Sequence, residues 1–179
     1  MDKEKLFDDI RLQLNDTDKL EFQDSELQSA LTSCLFEIQK DLMSVNSPLL
    51  LKKITLVSSE TVIDPDLLRI ISIYDKNNTH LRLCSKEHIS DNSYKVFGDK
   101  IIINNPPAEM IYYSKSETVI LNSFYDIIVD YIVSVCLARI NNNSDFELKA
   151  IQVLRQRVKS YSYGLTGSPV LKRYDSYSV

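Results

Sequence analysis

Glycine is nearly missing from this chain of 179 residues: there are 3, against the ~7% of an average protein. Gly98, Gly164 and Gly167 are scattered and late, so neither G-x-G-x-x-G nor a P-loop can be built. Tryptophan is absent, which leaves ring stacking to 10 Tyr and 6 Phe. Only His80 and His88 supply imidazole. The cysteines Cys34, Cys84 and Cys136 are too far apart for a C-x-x-C pair. A structural zinc site takes four Cys/His ligands at short spacing, so neither a metal nor a cofactor is expected. Free buried thiols in a reducing compartment fit the odd count. No G-x-S-x-G elbow and no H-E-x-x-H helix occurs, and no nucleophile–base pair stands out. His80 and Cys84 share a strand face, a solvent-edge imidazole beside a packed thiol.

Long apolar runs are also lacking. Phe124–Ile140 is the richest, and it carries Asp126, Asp130 and Arg139, so no membrane span is expected. The opening MDKEKLFDDI has no apolar h-region and is not expected to be a signal peptide. What is present is ordinary for a globular chain, with 44% hydrophobic and 26% charged residues. The net charge of −4 does not favour sequence-independent binding to nucleic acid, which rests on neutralising phosphates.

Periodicity divides the chain. Leu6, Phe7, Ile10 and Leu14 predict a helix over 2–14, with Asp8, Asp9 and Arg11 on its other face, stopped at Asn15-Asp16. Asp24 reads as the N-cap of a second helix, 24–43, with Leu27, Leu31, Leu35, Ile38 and Leu42 as its stripe. From about 52 to 115 the period changes to short β-branched segments. Turns are expected at Asp64-Pro65-Asp66, at Asp75–Asn78 and at Gly98-Asp99, giving a small antiparallel module of five or six strands. Helical period returns over 122–140. That helix is apolar on most sides and therefore central, with Tyr131 in the core and Asp130 facing a buried or interfacial partner. A last helix covers 144–163, capped by Ser144, faced by Leu148, Ile151, Leu154 and Val158, and stopped at Gly164. The predicted fold class is mainly α, α+β in detail. A four-helix body, residues 1–164, has the β module inserted between helices 2 and 3, and 165–179 is an extended tail.

Charge is unevenly spread. Residues 1–48 carry 11 acids and 5 bases, net −6, while 147–179 carry 6 bases and 2 acids, net +4. Opposite ends of opposite sign suit head-to-tail assembly. The tail holds Val170, Leu171, Tyr174 and Tyr177 around Lys172-Arg173. Such anchors are unusual in a free terminus and fit a segment that orders on a partner, or one that packs back on its own domain.

The stretch DDIRLQLNDTDKLEFQDSELQSALTSCLFEIQKD resembles the opening of tailed-phage head–tail adaptor proteins, also called connector or head-completion proteins. Arg11, Leu14, Asn15, Asp16, Phe22, Asp24, Glu26, Leu27 and Leu31 carry the match. ITLVSSETVIDPDLLRIISIYD, NNPPAEMIYYSK and YDIIVDYIVSVCLARINNNSDFELKAIQVLRQRVKSYSYG resemble the later elements, in order. The resemblance implies a structural virion protein at the head–tail junction, without enzymatic activity, assembled in the host cytoplasm. It implies a homo-oligomeric ring, a dodecamer on the portal protein, that extends the channel for DNA as passing cargo and offers a surface to a tail or second ring protein. It makes Val170, Leu171, Lys172, Arg173, Tyr174 and Tyr177 the candidate portal-binding residues. Two other readings stand beside it: an intracellular protein-interaction domain unrelated to a portal, and a metal-dependent nuclease using Asp64 and Asp66.

Overall fold

The computed structural model describes residues 3–85 and 89–166. The chain forms two compact units, one from 1–49 with 116–179 and one from 50–115.

The first unit is helical. Its elements are α1 (Lys3–Leu14), α2 (Asp24–Ser44), α3 (Glu117–Ser123), α4 (Tyr125–Ile140) and α5 (Ser144–Thr166). The core follows the apolar periods: Leu6 and Ile10 from α1, then Leu27, Leu31, Cys34, Ile38 and Leu42 from α2. From α4 come Ile128, Tyr131, Ile132, Val135 and Cys136, and from α5 Leu154 and Val158. α4 packs on α1, α2, α3 and α5, as its nearly all-round hydrophobicity requires. Asp130 is exposed on α4, and the partner found for it is the half-exposed Arg157 of α5 at the surface rather than a buried group. Leu148 is 59% exposed, and Ala150 is buried on the inner face of α5 along with Leu154 and Val158. The helix also runs through Gly164 to Thr166 rather than stopping there.

The second unit is a seven-stranded sheet in the order β1-β7-β3-β4-β5-β6-β2. The strands are β1 (Leu51–Leu56), β2 (Glu60–Val62), β3 (Leu67–Asp75), β4 (His80–Leu83), β5 (Ser93–Phe97), β6 (Lys100–Ile103) and β7 (Ala108–Ser114). Asp75 closes the β3–β4 turn by accepting the N–H groups of Asn77 and Thr79. Gly98 takes φ +58° between β5 and β6, a conformation that favours glycine. All pairs are antiparallel except β4–β5, which run parallel with Arg82 opposite Ser93. The sheet curls into a nearly closed barrel. Leu56, Ile73, Leu81, Ile101, Ile103, Ala108, Met110 and Tyr112 fill it.

The expected fold class is corrected on these points. The described residues hold five helices instead of four, and strands make up 24% of those residues in one mixed sheet, so the β part is no small antiparallel module. The fifth helix is α3, whose Thr118-Val119-Ile120 run is β-branched and does not read as helix. Phe124 ends α3 and begins α4 across an 89° bend. β2 is three residues long and too short to show alternation. The parallel pair arises where nine residues without a tight-turn signal, 84–92, separate β4 from β5.

β3 carries register shifts between Leu67 and Arg69 and between Ile70 and Ser72. A bulge reverses which residues face inward. Here it exposes 41% of Ile71 and buries Ser72, whose hydroxyl finds no hydrogen-bond partner. Ser72→Ala therefore raises the free energy of unfolding by about 1 kcal/mol in urea titrations, since an unpaired buried hydroxyl costs about that much.

Candidate functional site

The residues that carry the resemblance at the N-terminal end converge on one device. Asn15, at φ 57°, turns the chain out of α1, and the Asp16 N–H closes the turn on the Arg11 carbonyl at 2.9 Å. The Asp16 carboxylate then gathers the loop. Its Oδ1 accepts the N–H groups of Leu20 and Glu21, both at 2.9 Å, and its Oδ2 accepts that of Phe22 at 3.1 Å. Arg11 Nη1 donates to the same Oδ2 at 2.9 Å and to the Phe22 carbonyl at 2.9 Å. Arg11 Nη2 donates to Asp24 Oδ1 at 2.6 Å, and Lys19 Nζ reaches Asp24 Oδ2 at 3.3 Å. The side chains of Arg11 and Asp16 are only 3% and 2% exposed. Phe22 drops into the core at 5% exposure.

Electrostatics follow from these contacts. The Glu21 N–H, joined by those of Phe22 and Leu20, holds the Asp16 carboxyl below its ordinary range against the opposing effect of burial. Arg11, then Lys19, does the same for Asp24. Both stay ionised at neutral pH and neither can serve as a proton donor. The cluster is a clasp that fixes the α1–α2 connection. Two expectations change here. Asp24 is the first residue of α2 and gives its carboxylate to the clasp, while Gln23 is the N-cap, its N–H held by Glu26 at 2.9 Å. Arg11 is buried rather than on an outer face. Its spacing was the available signal, because position 11 is four beyond Phe7 and three before Leu14 and so shares their side of the helix.

The clasp leaves one apolar side chain in solvent. Leu20 is 85% exposed at the outer edge of the loop, between exposed Asp18 and Glu21. Elsewhere in the same unit, α4 and α5 enclose a groove of about 200 Å3. Ile127 and Tyr131 from α4, with Phe146 and Val153 from α5, form its apolar lining. Phe146 and Val153 are 55% and 52% exposed. Lys149, whose ammonium lies 5.6 Å from the Phe146 ring centroid, and the Arg157–Asp130 pair supply its polar atoms along with Ser134.

The other candidate residues are dispersed. Asp64 Oδ1 accepts the Asp66 N–H at 2.9 Å and Oδ2 accepts the Tyr112 hydroxyl at 3.0 Å, with Lys52 Nζ at 3.9 Å. The Asp66 N–H, then the Tyr112 hydroxyl, keeps the Asp64 carboxyl below its ordinary range. These bonds make Asp64 a turn brace tied to β7 rather than half of a carboxylate pair with Asp66. His80 packs edge-on against Tyr74 at 5.5 Å. Burial pushes the Cys34 thiol up to about 12 and the Cys136 thiol up to about 11, which removes their nucleophilic form at neutral pH. Asp9, expected on a solvated face, accepts the Tyr125 hydroxyl, and burial followed by Asp9 pushes that phenol up to about 12. Among the described residues no group of three or more His, Cys, Asp or Glu side chains is placed to hold a metal ion. No single helix there is long and apolar enough to cross a membrane. His88 and the candidate portal-binding residues Val170, Leu171, Lys172, Arg173, Tyr174 and Tyr177 lie outside the described residues.

No protein-family model matches this chain, and no curated protein matches it in sequence.

Proposed function

We propose that this chain is a structural virion protein, a head–tail adaptor that forms a ring beneath the portal, extends the DNA channel and presents the surface to which the tail attaches. One observation carries the reading. Arg11, Asn15, Asp16, Phe22 and Asp24 are all among the residues that carry the resemblance. They meet in one clasp, of which Arg11, Asp16 and Phe22 are buried. A pattern that encodes a single connected device is harder to reach by coincidence than one made of independent surface positions.

One further feature agrees with it. Residues 1–48, at net −6, would suit a conduit wall past which DNA slides without adhering. The partners in this reading are the portal protein, further copies of the chain, and a tail or second ring protein, with the head–tail junction as the location and DNA as cargo only.

The test is native mass spectrometry and negative-stain imaging of the full chain, alone and mixed with the portal protein encoded in the same genome. The chain alone is expected to be monomeric or weakly associated, and to form a closed ring on the portal. A chain that leaves the portal bare at micromolar concentration would remove the adaptor reading.

A further inference from the structure

We propose that the groove between α4 and α5 receives the Leu20 loop, residues 17–21, of a second copy of this chain. The proposal rests on the ring reading for its biological setting, but the contact itself needs no portal.

The argument starts from the loop. An 85% exposed leucine is common enough on a surface, yet this one stands on a connection whose N–H groups from Lys19 to Phe22 are all bonded to Asp16. Asp16 takes the N–H of Leu20 itself and of the next two residues, and buried Arg11 locks Asp16 in place. A rigid apolar knob loses little conformational entropy on binding, which removes the loop-ordering part of the cost of association. The groove is its counterpart. It is lined mostly by apolar atoms, it has room for a side chain of leucine size, and two of its lining residues, Phe146 and Val153, are more than half exposed.

Charge selects the occupant. Lys19 and Glu21 stand on either side of the knob with Asp18 one residue beyond, and the Lys19 ammonium is turned to Asp24 at 3.3 Å, so Asp18 and Glu21 set the sign of the loop. Lys149 and Arg157 flank the groove, and Asp130 is the one acid among its lining residues, already paired with Arg157. Lys149 meets no carboxylate there and sits against the Phe146 ring. A second copy brings acids to the lysine and leucine to the apolar floor in one movement. Knob and groove are different surfaces of one chain, so the contact is heterologous, and repetition gives a closed ring or an open filament.

Disulfide trapping tests this. Leu20→Cys and Val153→Cys variants, both carrying Cys84→Ser to remove the partly exposed native thiol, are mixed and oxidised at high protein concentration. The expected result is a heterodimeric disulfide that forms about tenfold faster than from Thr32→Cys with Val153→Cys, an exposed control pair, because complementary surfaces raise encounter rates by that order or more. Lys149→Glu should abolish the advantage, and adding Glu21→Lys to the partner should restore it. A single chain bearing both Leu20→Cys and Val153→Cys should give a ladder of multimers on a non-reducing gel. Trapping no faster than the control, with circular dichroism of the variants unchanged, would overturn the proposal. The two readings separate cleanly: a ladder from a chain that ignores the portal keeps this contact and removes the adaptor, while a ring on the portal without trapping does the reverse.

Discussion

Arg11→Leu lowers the free energy of unfolding by about 3–5 kcal/mol, the usual loss when one partner of a buried ion pair is removed and the other remains. The guanidinium serves three acceptors at once: Asp16, the Phe22 carbonyl and Asp24. Without it the Phe22 carbonyl is left buried and unpaired, and Asp16 keeps its charge with only backbone N–H groups around it. Arg11→Lys should recover part of the loss, because one ammonium cannot span the three acceptors that the planar fork reaches. Replacing both Arg11 and Asp16 by leucine should not rescue the fold, unlike many buried pairs. Asp16 satisfies three loop N–H groups that no apolar side chain can accept from. Urea titration followed by circular dichroism reads all three variants. A parent-like midpoint for Arg11→Leu would mean that the α1–α2 connection holds without its clasp.

The same cluster sets an acid limit. Asp16 and Asp24 have folded-state pKa values below the ordinary carboxyl value of 3.8. A group depressed on folding stabilises fully above its unfolded pKa, and that stability is lost as pH falls through the folded value. The clasp contribution is thus intact at neutral pH and declines only below about pH 4, an order set by ordinary carboxyl titration. In Arg11→Leu the acid-dependent part due to Asp24 should shrink, because Arg11 is the first cause of its shift, whereas the part due to Asp16 should persist through the Glu21 N–H. Thermal melts between neutral pH and pH 3 separate the two.

The reach of the sequence can be judged element by element. The α2 and α4 stripes were legible because each places apolar residues on the spacing that tertiary packing then uses. The β3–β4 and β5–β6 hairpins were legible because their turn residues carry the geometry themselves. α3 was not, since its β-branched run argues locally for strand and only packing beside α2 and α4 makes it helix. The parallel β4–β5 pair was not, because pairing across nine residues is a property of the sheet rather than of either strand. At the candidate site, Arg11, Asn15, Asp16, Phe22 and Asp24 could all be picked out, but not their convergence. The helical spacing sets Arg11 on the side of Phe7 and Leu14, but the acceptors that let a charge be buried there come from the loop that folds over it. The groove between α4 and α5 was invisible for a related reason: it depends on which flank of each helix its neighbour leaves uncovered.

Phe124→Ala is expected to destabilise the helical unit by about 3–5 kcal/mol, the range for truncating a buried phenylalanine. Phe124 stands at the 89° bend, where α3 ends and α4 begins. Its N–H bonds the Ile120 carbonyl and its carbonyl accepts the Ile128 N–H, both at 2.9 Å, so the backbone ladders of both helices meet at this residue. The ring is 1% exposed and meets Tyr161 of α5 edge-on at 4.8 Å between centroids. Tyr131, which the helical pattern places in the core, is 7% exposed and borders the groove, so the space left by Tyr131→Ala opens toward solvent. Water can refill a site at an edge more readily than a closed cavity, and its truncation should cost less than that of Phe124. The order of the two melting points decides between a core organised at the α3–α4 bend and one organised at the middle of α4. Phe124→Leu supplies the control, because it keeps most of the apolar volume and loses the edge-on contact. It should recover more than half of the loss. If Phe124→Ala melts with the parent while Tyr131→Ala does not, the bend is a passive turn and the middle of α4 carries the fold.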